Sequence, residues 1–138
     1  MSFSLDPRLT ADTLAVGDLA LCCVRLMNDR RYPWLVLVPR IEGAVEVHAL
    51  APAERALLLE ETTAAARALA ELAPGHKINI GALGNVVRQL HVHVLARHEG
   101  DPAWPGPVWG HSPAVAYEPA AAKERIGCLR ALVPALNV

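Results

Sequence analysis

Aromatic side chains are scarce in this chain: one Phe, two Tyr and three Trp among 138 residues. That excludes a core built on rings, and the apolar fraction of 53% is carried almost wholly by aliphatic residues. Cysteines are few and odd in number; Cys22 and Cys23 are adjacent in an apolar run and Cys128 stands alone. Such spacing excludes a disulfide framework and makes no CxxC metal pattern, so the three read as buried free thiols in a reducing, cytoplasmic setting. An excess of one charge is also missing, since 13 Lys and Arg stand against 14 Asp and Glu without a basic run. The electrostatic footprint of a protein that binds nucleic-acid polymers is therefore absent. No apolar stretch approaches membrane-spanning length, and the first six residues show no basic region followed by an apolar one. Neither a membrane partner nor a secretory leader is expected.

What is present fits one compact domain, residues 1–138, without repeat, low-complexity tract or linker. Residues 5–14 carry Asp6-Pro7 and Thr10 and predict a short helix, with a turn at Val16-Gly17-Asp18. Residues 19–27 and 34–38 are apolar on both faces and read as buried antiparallel partners, the second closed by Pro39. A third short strand is expected at 45–48. Pro52 favours a helix start, and the 3.6-residue pattern runs to Leu72 with Leu58, Ala65, Leu69 and Leu72 on one stripe and Arg55, Glu61 and Arg67 elsewhere. Residues 77–80 predict a strand, 81–84 a glycine-flanked turn, 86–96 another strand, and 118–132 an Ala-rich helix. Strands, helix, strands, helix is the order of an α+β layer fold, an antiparallel sheet with its helices to one side.

Within residues 86–96, polar and aliphatic side chains alternate strictly over Gln89-Leu90-His91-Val92-His93-Val94-Leu95. Alternation on a strand puts Gln89, His91 and His93 on one face, about 7 Å apart, with Leu90, Val92 and Val94 in the core. Two imidazoles and an amide at that pitch suit a small polyanionic group. A zinc ion would find two ligands here and no third, because His98, Glu99 and Asp101 lie beyond the strand, so neither metal nor cofactor is assigned. His48, His76, His98 and His111 follow no pattern and are expected at the surface.

This stretch resembles the signature of the histidine triad (HIT) family of nucleotide hydrolases and transferases, His-φ-His-φ-His-φ-φ with φ apolar. Trp34-Leu35-Val36-Leu37-Val38-Pro39-Arg40 resembles the family's apolar strand ending in Pro and a basic residue, and Asn79-Ile80-Gly81 its Asn-x-Gly strand end. With the middle helix and Trp104 to Gly106, the likeness spans residues 15–110. Gln89 in the first histidine's place, followed by Trp-Pro-Gly-Pro-Val-Trp-Gly, is similar to a bacterial subgroup. Two further departures are Val86, where many members have a phosphate-binding Ser or Thr, and Trp34, where many have a fourth histidine.

The resemblance implies a sheet of about five antiparallel strands with a long middle helix and a C-terminal helical segment at 118–134, paired as a homodimer. It implies release of a nucleoside 5′-phosphate from a phosphoanhydride or phosphoramidate, with a purine nucleotide or dinucleoside polyphosphate as substrate. His91 takes the nucleophile's place, its proton held by the Gln89 carbonyl, and a neutral imidazole can form a phosphohistidine that water then splits. His93 takes the place of the last triad histidine, giving general-acid or electrostatic help. Asn85 matches a phosphate-contacting amide, and backbone amides after Gly84 add donors; Arg97 shares the parity of the two histidines. Asn28, with Asp29 as competitor, falls where the ribose is held, Leu26 and Met27 where an apolar wall meets the base, and Trp104 and Trp109 where the pocket closes. The alternative is a nucleotide-binding module with weak or lost catalysis through Gln89, Val86 and Trp34.

Overall fold

The computed structural model describes residues 2–138. A short helix α1 (Pro7–Asp12) leads into β1 (Thr13–Asp18), β2 (Cys22–Met27) and β3 (Trp34–Pro39). A 3₁₀ turn (Val47–Ala49) and the long helix α2 (Pro52–Leu72) precede β4 (Lys77–Gly81), β5 (Val92–Arg97) and α3 (Pro119–Leu132). The five strands lie in the order β1-β2-β3-β5-β4, and every neighbouring pair is antiparallel.

Both faces of the sheet are covered. Alternate residues of each strand, among them Val24, Leu35, Leu37, Val92 and Val94, pack under α2 and α3 against Leu58, Ala65, Leu69 and Leu129. The opposite face carries Trp34, Val36, Val38 and Leu95, sealed by Leu9 of α1, by Phe3 and Leu5, and by Ala103 and Val108 from the segment before α3. Proline supplies the N-terminal position of α2 and of α3, where its missing N–H costs nothing, and the Glu54 side chain accepts from the Ala51 amide at 2.8 Å. No helix among the described residues is long and apolar enough to cross a membrane.

Several expectations shift. The turn foreseen at Val16-Gly17-Asp18 is part of β1, with a bulge between Ala15 and Gly17. A Cβ on Gly17 would stand 2.8 Å from the Asn137 carbonyl oxygen, so glycine there admits the C-terminal tail, which bridges Asp18. No strand forms at 45–48, because β3 is flanked by β2 and β5 and offers no free edge. The histidine strand starts only at Val92: its pairing with β3 ends at Leu37, and the Leu90 amide goes to the Ala44 carbonyl at 2.9 Å.

Glu61 is buried instead of on the polar side of α2. Its carboxylate accepts from the Leu21 and Cys22 amides, each at 2.8 Å, and fastens the β1–β2 turn to the helix. Burial, with Glu61 beside it, pushes the Cys22 thiol far above its ordinary range, as expected of inert core filler. Cys128 departs from that expectation and is exposed on α3, since its neighbour Leu129 faces the core. His76 is half-buried and stacks on His98 at 4.8 Å between ring centroids.

Candidate active site

β3 and β5 pair with Val36 opposite His93 and Trp34 opposite Leu95, so Trp34 and His93 are diagonal neighbours on the face away from the long helices. The rings of His91 and His93 meet edge to face at 4.9 Å, and both residues are nearly buried, at 7% and 6% exposure. His91 precedes β5 yet keeps the alternation, since Leu90 and Val92 on either side of it enter the helix-covered core.

Hydrogen bonding sets the two rings apart. His91 Nδ1 lies 2.7 Å from the Gln89 carbonyl oxygen. A carbonyl only accepts, so Nδ1 carries the proton, and in the neutral ring Nε2 is the nitrogen with the lone pair. Trp34 Nε1 donates to His93 Nδ1 at 3.0 Å. An indole N–H only donates, so His93 is bare at Nδ1 and protonated at Nε2. Trp34, which as a replacement for histidine reads as a lost polar contact, makes one.

His91 borders a cavity of about 600 Å³ lined also by Val45 to His48, Arg55, Ala82, Leu83, Gly84 and Leu90. Arg55 is positioned there by donating to the Leu50 carbonyl. The connection from β4 to the histidines forms one wall, with Gly84 at φ +72°, and no chain carbonyl or side chain among the described residues accepts from the backbone N–H groups of residues 82–89. The backbone N–H groups of Ala82, Leu83 and Gly84, on the wall shared with His91, are free to hold an anion. His93 is not part of the cavity wall; Trp34 and Trp109 flank it, with centroids at 5.6 and 5.5 Å. Trp109 leans on Gly81, where a Cβ would come within 2.8 Å of the indole.

The family model for the HIT domain matches residues 8–100. A histidine triad protein from Sinorhizobium meliloti is 50% identical, with a TM-score of 0.91 over 94% of this chain and 96% of its own. One from Marinobacter aquaeolei is 44% identical, with a TM-score of 0.95 over 99% and 100% of the two chains, and one from Bradyrhizobium japonicum is 44% identical at 0.93 over 96% and 99%. The chain belongs to the histidine triad family. Comparison with curated proteins finds no match. Members of the histidine triad family are nucleotide-binding proteins, generally hydrolases or transferases, and the five-stranded α+β fold expected from the sequence is the one present.

Against that family pattern, Gln89 does not face the cavity. Its side-chain oxygen accepts from the Asp6 amide at 2.8 Å and its amide nitrogen donates to the Ser4 carbonyl at 2.9 Å. Gln89 is a clamp on the N-terminal segment. Asn85 is exposed beside Gly84, with its amide uncommitted among the described residues. Met27 lies half-buried on the histidine face, whereas Leu26 is fully buried beneath the helices and forms no part of a base pocket. Asn28 accepts from the Tyr117 amide at 2.9 Å and lines a separate cavity with Lys123 and Arg130, so the chain fold does not bring it to His91. Asp29 is committed to Arg31 at 2.8 Å.

Arg97 does share the face of the histidines, but it is no phosphate ligand. Its Nε and Nη2 grip Asp101 at 2.7 and 3.0 Å, Nη2 also reaches the Gly106 carbonyl, and Nη1 donates to Asn79 Oδ1 at 3.2 Å. The last bond is informative. With Oδ1 held, the Asn79 amide presents its NH₂ end, a donor in the Asn-x-Gly strand end that sequence reading passed over.

Burial, and after it the neighbouring His91, pushes the pKa of His93 from the ordinary 6.5 down to about 4. Trp34 and Trp109 against its two sides carry no charge that would compensate. The folded state then refuses a proton that the unfolded chain takes up below pH 6.5, so stability is full above that value and is lost as pH falls towards 4. From about pH 7.5 to about pH 5 the loss is on the order of 2 kcal/mol. Urea midpoints at the two pH values measure it, and His93→Gln is expected to remove this component of the slope.

Proposed function

We propose that this protein is a hydrolase or transferase of the Gln-containing histidine triad subgroup that releases a nucleoside 5′-phosphate through a phosphohistidine on His91. The observation that carries the reading is the Nδ1–H of His91 on the Gln89 carbonyl, which leaves Nε2 as the lone-pair nitrogen beside a cavity. In the first step Nε2 bonds to the α-phosphorus and the bond from phosphorus to the leaving group breaks, its electron pair leaving with that group. Water then attacks the same phosphorus, the P–N bond returns its electrons to Nε2, and a proton is released to solvent. Uncommitted backbone N–H groups of Ala82, Leu83 and Gly84 on the cavity wall supply donors for the phosphoryl oxygens, with the amides of Asn85 and Asn79 as further donors on this reading, the main source of help in such transfers. Met27 gives an apolar surface for a purine base. Asn28 has no part in this reading.

The protein works as a homodimer in the cytoplasm on this reading. β4 is an edge strand, and Ile80, Leu83 and Val86 on and after it are exposed at 55, 43 and 74%. A second copy meeting that edge would cover them.

The test is chemical. Rapid quenching with a panel of nucleotides labelled at the α-phosphorus is expected to trap acid-labile, base-stable phosphorus on the peptide containing His91. Turnover without any such adduct, together with incorporation of the label elsewhere, would overturn the mechanism. Binding of mononucleotides without turnover of any anhydride or phosphoramidate would instead favour a binding module.

A further inference from the structure

Trp34 decides what His93 is able to do, and that choice bears on the substrate. The indole N–H reaches His93 Nδ1 at 3.0 Å and has no acceptor character to offer in exchange. A proton arriving at Nδ1 would face the indole N–H head-on, so cationic His93 requires that this bond be broken. Trp34 is itself fixed: it is almost fully buried, its ring meets Tyr32 edge-on at 6.1 Å, and its backbone is in the centre of the sheet. Among the described residues the titratable ring against His93 is that of His91, at 4.9 Å, and Trp34 and Trp109 are neutral.

Resting on the proposed hydrolase reading, we infer that Trp34 is a positioning residue that locks His93 as a neutral Nε2–H hydrogen-bond donor and so restricts efficient turnover to phosphoanhydrides. A neutral imidazole that gave up its Nε2 proton would become an imidazolate, which is out of reach near neutral pH. His93 therefore stabilises charge but transfers no proton. When the P–O bond of an anhydride breaks, the electron pair leaves on a phosphate oxygen that is stable as an anion and needs only a hydrogen bond. When the P–N bond of a phosphoramidate breaks, the amine must receive a proton, and a neutral His93 held by Trp34 cannot give it. General acid assistance contributes about 10²–10⁴-fold, so its absence is expected to show as a preference of at least about 10²-fold for anhydride over phosphoramidate.

The lock is read without any substrate. In the ¹⁵N-labelled wild-type protein a two-bond ¹⁵N–¹⁵N coupling is expected across Trp34 Nε1–H···Nδ1 of His93, with Nδ1 at the shift of an unprotonated nitrogen. Trp34→Phe should lose the coupling and leave His93 in mixed tautomers. Trp34→His, which restores a partner able to accept, should narrow the anhydride preference about tenfold or more by raising phosphoramidate turnover. A protonated Nδ1 in the wild type, or equal kcat/KM for a nucleoside 5′-phosphoramidate and a dinucleoside polyphosphate, overturns the inference. The coupling without turnover of either substrate would sink the hydrolase reading, and the substrate restriction with it, while leaving the tautomer intact.

Discussion

Replacing His91 with alanine is expected to lower kcat for nucleotide hydrolysis by at least about 10⁴-fold, with the KM little changed. The size of the effect follows from the lack of a substitute. His93, whose ring meets that of His91, has its Nδ1 occupied by Trp34 and a proton on its Nε2, so it has no free lone pair to offer phosphorus. Water attacking directly would still have the donors of residues 82–89, which accounts for a residual rate rather than none. Added imidazole is expected to recover part of the lost turnover in His91→Gly, because the opening beside Leu90 and Gly84 admits a small molecule. Steady-state nucleotide release measures both. Near-normal turnover by the alanine variant would rule out His91 as nucleophile.

The largest effect on stability is expected from Asp101→Ala, a loss of about 3–5 kcal/mol. Arg97 and Asp101 side chains are each about 1% exposed, and the carboxylate also accepts from the His98 amide at 3.1 Å and the Trp104 amide at 2.8 Å. Burial alone would raise the Asp101 carboxyl, but the Arg97 hydrogen bonds, the backbone amides and the guanidinium charge more than offset it and hold the group ionised. Alanine would strand a buried guanidinium and free two backbone donors at the turn that precedes Trp109, whose ring meets His93. Against a total stability of about 5–15 kcal/mol that is a large fraction. The double variant Arg97→Met/Asp101→Asn, which leaves no stranded charge, is expected to lose less than Asp101→Ala alone. Chemical unfolding of the three proteins tests this, and a loss below about 1 kcal/mol for the single variant would show the pair to be structurally idle.

The two long helices were legible because their signals are local: a proline at the first position, an apolar stripe, and Pro74-Gly75 or Pro134 beyond the end. The histidine pair was legible for the same reason, since alternation between Leu90 and Val94 survives even where β5 has not yet begun. What escaped notice depends on partners distant in the chain. The Leu90 amide goes to the Ala44 carbonyl before β5 begins, Glu61 is buried by a turn 39 and 40 residues away, and Trp34 meets His93 over a separation of 59. Arg97 shows the limit of strand parity. Its face was placed correctly, but parity does not reveal that a carboxylate four residues later already occupies it.

The clamp made by Gln89 links the beginning of the chain to its reactive ring. Ser4 and Asp6 hold the side chain of Gln89, and the carbonyl of that same residue holds the proton of His91. Residues at the N-terminal segment thus help fix which nitrogen of the His91 ring carries the proton. Trimming the first half-dozen amino acids therefore amounts to loosening the pairing of ring and carbonyl, carried out from the far end of a three-bond lever.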